Sequence, residues 1–104
     1  MGTRMYIAMN YMAMYNTPKY RSQFTEGDME MFNQQAKAYI SMVDVDKLLL
    51  ESDKAFYYRT YGLLYVDIAS IQKALAFYQS VNAYKDIKDC EGYIRTIRHA
   101  QTQH

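Results

Sequence analysis

Residues 66–98 read VDIASIQKALAFYQSVNAYKDIKDCEGYIRTIR, and this stretch decides the fold. Asp67 stands just ahead of an apolar-periodic run, where a carboxylate accepts an orphan backbone N–H and complements the positive end of a helix. Ile68, Ile71, Leu75 and Tyr78 recur at spacings of three and four, with Ala74 beside them, which is one face of a helix. Asn82 is the natural stop, because Asn tolerates the left-handed conformation that ends many helices. Asp86 opens a second run whose apolar stripe is Ile87, Cys90, Ile94 and Ile97. Tyr84 precedes that cap, placed to pack on the first turn as a hydrophobic staple. So short a connection makes the helices antiparallel, and their stripes bury each other.

Across the turn, Tyr78-x-x-Val81-x-x-Tyr84-Lys85-Asp86 resembles the F-x-x-L-G-D-Y-K-D signature of short helical-hairpin repeats, similar to tetratricopeptide repeats, in many bacterial proteins. Asn82 stands where those repeats usually carry Gly, and both residues suit the same turn. Ala83 replaces their usual Asp, and Ile87 their usual small residue. The resemblance covers roughly Ala74 to Arg98. It implies a helical hairpin used for packing and protein binding, without a catalytic site. Upstream, Ala55, Tyr58 and Tyr61 have no Tyr-Lys-Asp to complete a second copy, and an array needs about three repeats to be stable. The expectation is therefore one hairpin inside a single helical domain spanning all 104 residues.

Outward from the hairpin, residues 44–65 admit two readings. Asp44, Asp46 and Asp53 are all possible caps, and Leu48, Leu49, Ser52 and Phe56 share a face. One helix runs from about Asp46 to Tyr61, or two shorter ones meet near Ser52. Gly62 is placed to end the segment in the left-handed conformation, with Leu63 and Leu64 supplying the apolar contact that follows. Further back, Thr25-Glu26-Gly27-Asp28 is a helix start, with a hydroxyl cap and the acids Glu26, Asp28 and Glu30 in or near the first turn. Met29, Phe32, Ala36, Tyr39, Ile40 and Val43 follow at helical spacing. Residues 3–15, TRMYIAMNYMAMY, read as a first helix ended by Asn16-Thr17-Pro18. Met5, Met9 and Met12 share one face of it, and Ile7, Tyr11 and Met14 another. A helix apolar nearly all round wants cover on several sides. Burial in its own domain and contact with another chain both satisfy that need, and flexible Met suits the second.

All eight Met fall within residues 1–42, and the chain holds 12 Tyr but no Trp. Half the residues are apolar and one is Pro, which argues for a folded core. No apolar run approaches the ~20 residues of a membrane span, and the N-terminal stretch lacks the small-residue cleavage site of a signal peptide. One Cys excludes an intrachain disulfide framework and is compatible with a reducing, cytoplasmic setting. Net charge is +1, so nothing draws the whole molecule toward nucleic acid or anionic lipid. The charge is uneven, at +3 over residues 1–25, −5 over 26–53 and +3 over 54–104.

No catalytic, metal or cofactor constellation emerges. Cys90 lies on an apolar stripe and His99 about half a turn round from it, so nucleophile and base do not meet. His99 and His104 sit near the chain end without zinc spacing. Asp86 and Asp89 read as helix-start residues. Gly92, mid-helix, is explained by close approach of another helix or by a tolerated flaw of ~1 kcal/mol. What stands out is the aromatic run 56–65, FYYRTYGLLY, whose tyrosines cannot all point inward. Tyr57, Tyr61 and Leu64 or Tyr65 share one helical face, and Tyr58 a neighbouring one. Surplus Tyr of this kind supplies interface hot spots. The sequence therefore describes an all-α protein, a small bundle of about five helices with a C-terminal antiparallel hairpin. It describes a non-enzymatic protein that binds another protein, as regulator, adaptor or stoichiometric inhibitor, with a homodimer as one form. The candidate contacts are Tyr57, Tyr58, Tyr61, Tyr65, Met5, Met9 and Met12. The alternative is a nucleic-acid-binding regulator using Lys85, Lys88, Arg95 and Arg98 of the last helix, although Asp86, Asp89 and Glu91 dilute its basic face.

Overall fold

The computed structural model describes residues 23–102, among which there are helices and connecting turns but no strand. They fall in two compact units, divided between Asp44 and Val45. In the first unit, helix α1 (Glu26–Ser41) begins at the expected hydroxyl cap. The Asp28 N–H donates to Thr25 Oγ1 at 3.1 Å, and the Thr25 N–H donates to the Asp28 carboxylate at 3.2 Å. This reciprocal box satisfies two orphan donors. Met29, Phe32, Ala36 and Ile40 form its buried stripe, continued by Val43.

The second unit opens with a 3-10 turn (Val45–Lys47) and holds helices α2 (Glu51–Tyr65), α3 (Ile68–Ser80) and α4 (Tyr84–Thr102). Ala55 of α2, Ile71, Ala74 and Tyr78 of α3, and Cys90 and Ile94 of α4 make its core. Ile68, Leu75, Ile87 and Ile97 are partly buried against it. The two stripes read from the sequence thus bury each other, and α2 adds a third wall. Its direction is fixed by Gly62 against Ile71 and Tyr58 against Phe77, which run antiparallel to α3.

Several expectations are corrected. The described residues contain four α-helices rather than about five; the helix expected over residues 3–15, with Met5, Met9 and Met12, lies outside them. Residues 44–65 resolve into the 3-10 turn and one α-helix, so Leu48 and Leu49 share no helical face with Phe56. Leu48 is buried whereas Leu49 is 89% exposed. Gly62 does not end α2. It is buried inside the helix, where a Cβ would press on Ile71 Cγ1 and stand 3.0 Å from both Asp67 O and Ile71 N. Close approach of α3, not a left-handed turn, demands that glycine. The left-handed residue is Val66, at φ 54°, four positions later. Asn82 does adopt the expected conformation, at φ 56°. Helix α4 starts at Tyr84 rather than Asp86, and Tyr84 is 73% exposed, so it staples nothing. Asp67 is the cap residue of α3, but its carboxylate accepts from the Ser70 hydroxyl at 2.7 Å instead of from a backbone N–H.

Candidate protein-binding surface

Helix α2 carries two different constellations on two of its faces. Residues one turn apart line up in register, and Tyr57, Tyr61 and Tyr65 do so along one edge. The Tyr57 and Tyr61 rings stack at 6.2 Å between centroids, and Tyr61 and Tyr65 follow at 4.6 Å. Tyr57 and Tyr61 are half-buried; Tyr65 is exposed, as is Val66 beyond it. Leu64, the other residue considered for this face, is buried. Tyr58 turns toward α3, where its ring lies parallel to Phe77 at 5.8 Å and meets Tyr57 edge-on at 5.2 Å. Lys73 Nζ sits 5.2 Å from the centre of the Tyr58 ring, and Lys54 Nζ 6.0 Å from that of Phe77. Each ring face attracts a cation through its quadrupole. The result is a ridge of rigid, amphipathic rings with ammonium groups at its margin. Partial burial pushes the Tyr57 hydroxyl above its ordinary pKa, and the neighbouring Tyr58, Tyr61 and Tyr65 add to the shift. The Tyr57 hydroxyl therefore keeps its proton at neutral pH.

The second face ties α2 to α4. Arg59 donates through Nη1 to Asp86 Oδ1 at 3.1 Å and through Nη2 to the Tyr93 hydroxyl at 3.0 Å, with the guanidinium 5.3 Å from the centre of the Tyr93 ring. Burial pulls the Arg59 pKa down, but Tyr93 and Tyr78 outweigh it and the net direction is upward. Its Nε is buried without an acceptor among the described residues. Reading Asp86 as a helix-start residue captured half its role, since it lies in the first turn of α4 and also neutralises Arg59. The sequence pattern does not mark Arg59 and Tyr93 as partners, because no local spacing pairs residues 34 positions apart.

Cys90 is free and fully buried, and burial pushes its thiol up to about 11, so at neutral pH it keeps its proton. A protonated, enclosed thiol is a poor nucleophile. Among the described residues no group of His, Cys, Asp and Glu is arranged to hold a metal ion, and no helix is long and apolar enough to cross a membrane. Lys85, Lys88, Arg95 and Arg98 of α4 are all exposed, with exposed Glu91 among them. Among the described residues a Cβ on Gly92 would meet nothing nearer than the Arg95 guanidinium at 3.8 Å, so close approach of α2 or α3 does not explain that glycine.

Compared with models of known protein families, with curated proteins and with solved structures, the chain finds no match.

Proposed function

We propose that this chain is a small non-enzymatic helical protein that works by binding another protein, and that the tyrosine ridge of α2 is its contact surface. The observation that carries the reading is the run Tyr57–Tyr61–Tyr65, stacked along one edge of α2 and ending in exposed Tyr65 and Val66. Rings already held against one another lose little freedom on binding, so they give large contact area at low entropic cost. Tyr58 and Lys73 frame the ridge and keep it oriented on the hairpin. The Met-rich residues Met5, Met9 and Met12 suit the same role by composition. The hairpin resemblance points the same way, to a scaffold that presents a surface. Regulator, adaptor and stoichiometric inhibitor are all forms of this one activity.

The test is affinity capture from lysate of the native host, with and without nuclease, by wild type and by the Tyr61→Ala plus Tyr65→Ala variant. One protein enriched in both lysates, and released at least about tenfold more readily by the variant, supports the ridge. An unchanged capture by a variant with a wild-type thermal melt rejects it. A second reading has its own observation, the four exposed cations of α4. If α4 binds nucleic acid, Arg95→Ala plus Arg98→Ala weakens binding and reduces its salt slope by about two phosphate contacts. Asp89 and Glu91 on the same helix make this the weaker reading.

A further inference from the structure

Between α3 and α4 lies an open groove of about 280 Å³, lined by Gln72, Leu75, Glu91, Ile94, Arg95 and Arg98. Leu75 and Ile94 give it an apolar floor, and two guanidiniums one helical turn apart stand at its rim. Neither Arg95 nor Arg98 forms an ion pair among the described residues, and with one acid, Glu91, beside the two guanidiniums the lining is net positive. Such a groove fits an apolar knob flanked by carboxylates one turn apart, and α1 displays that pattern on its solvent side. Glu26 and Glu30 are exposed one turn apart, and Met31 beside them is 49% exposed. Neither carboxylate forms an ion pair among the described residues. The sign asymmetry of the whole chain agrees, with −5 over residues 26–53 and +3 over 54–104.

We infer that two copies of this chain associate, with the Glu26–Glu30–Met31 face of α1 from one copy seated in the Arg95–Arg98 groove of the other. The occupant is a second copy because its acids, its spacing and its apolar side chain all match the groove. A duplex of nucleic acid has phosphates for the arginines but no use for the Leu75–Ile94 floor. One such contact is small for a stable interface. A two-fold pair repeats it and uses both. Rim charges of this kind act strongly at low ionic strength and are screened within a Debye length, so the association is salt-sensitive.

The experiment is mass measurement of the full chain by light scattering over a concentration series, at about 0.05 M and about 0.5 M salt. Wild type is expected at twice the monomer mass or above in low salt and at monomer mass in high salt. Arg95→Glu plus Arg98→Glu, and separately Glu26→Lys plus Glu30→Lys, are each expected to stay monomeric. In the mixed pair both contacts are matched, one native and one with its charges reversed, and the doubled mass comes back. Recovery on mixing also proves that both variants are folded. The inference is overturned if wild type is monomeric at low salt throughout. It is overturned equally if the Arg95→Glu plus Arg98→Glu variant still doubles, which would place association on another face. A monomer that binds a short DNA or RNA duplex through the same arginines overturns it in favour of nucleic acid.

Discussion

The two turns that flank α3 close in the same way with different residues. After α2, Val66 takes φ 54° and the Asp67 N–H returns to Gly62 O at 2.8 Å. After α3, Asn82 takes φ 56°, the Ala83 N–H returns to Tyr78 O at 3.0 Å, and the Asn82 N–H reaches Gln79 O at 3.3 Å. Both are left-handed helix ends with the bond spanning five residues. Asn enters this conformation readily, whereas a β-branched residue does so against its own sterics. The α3–α4 turn is therefore set by local chemistry. The α2–α3 turn is set by packing: α3 must lie close enough to touch Gly62, and Val66 occupies whatever position that closeness dictates. Strain at one residue is tolerated because the contact at another outweighs it.

If packing at Gly62 governs the first turn, filling that space should break it. Gly62→Ala places a methyl against Ile71 Cγ1 and 3.0 Å from two backbone atoms, Asp67 O and Ile71 N. Backbone cannot rotate away as a side chain can. The expected loss is about 3 kcal/mol by chemical denaturation, the upper part of the range for overpacking. A loss under about 0.5 kcal/mol would mean the helices separate freely and the packing argument is wrong.

The seam between α3 and α4 has its own weak point, in alkali. The folded state holds the Cys90 thiol proton up to about 11, against 9.0 in the open chain. Below 9.0 both states are protonated and nothing is lost. Above it the unfolded chain gives up its proton first, so it binds fewer protons than the folded state and stability falls as pH rises. The accumulated effect near 11 is on the order of 2–3 kcal/mol. Burial also pushes the Tyr78 hydroxyl up, and because Cys90 is only a minor cause of that shift, most of it is common to wild type and Cys90→Ala. Urea unfolding of both at about pH 8 and about pH 10.5 should show their stability gap narrowing by roughly 2 kcal/mol. A gap independent of pH would mean that Cys90 ionises in the fold as it does in the open chain.

The contrast between the two turns also marks what was legible in the sequence. The hairpin could be read because Ile68, Ile71, Ala74 and Tyr78, and then Ile87, Cys90, Ile94 and Ile97, keep helical spacing on both sides of an Asn that suits a left-handed turn. The Tyr57, Tyr61 and Tyr65 alignment was readable for the same reason. Gly62 misled because a glycine near a helix end looks like a terminator, and the contact that explains it comes from Ile71, nine residues on. Val66 could not be foreseen at all, since nothing in its type suits φ 54°. The Arg59 link to Asp86 and Tyr93 spans 27 and 34 residues, beyond any local pattern. Local chemistry left a trace in the sequence; side chains meeting across the bundle did not.

Relieving the strained turn should stabilise the protein. Val66 is exposed, so little packing is lost by changing it. Val66→Asn should raise the unfolding free energy by about 1 kcal/mol, the difference between a β-branched residue and Asn in the left-handed region. No gain would show that the Val66 side chain makes a contact worth as much as its strain.

The subtlest expectation comes from exchanging the two turn residues. Asn82→Val alone should cost about what Val66→Asn gains, because both turns ask the same backbone angle of one residue. The sites lie at opposite ends of α3, roughly 24 Å apart at 1.5 Å per residue, far beyond the distance at which substitutions couple. The double exchange Val66→Asn plus Asn82→Val should therefore leave stability unchanged within about 0.5 kcal/mol. A net loss would locate extra work in Asn82, such as a side-chain bond that Val66 never needed. A net gain would mean that the α2–α3 turn carries more strain than one left-handed valine explains, and that Gly62 holds α3 closer than the backbone would choose.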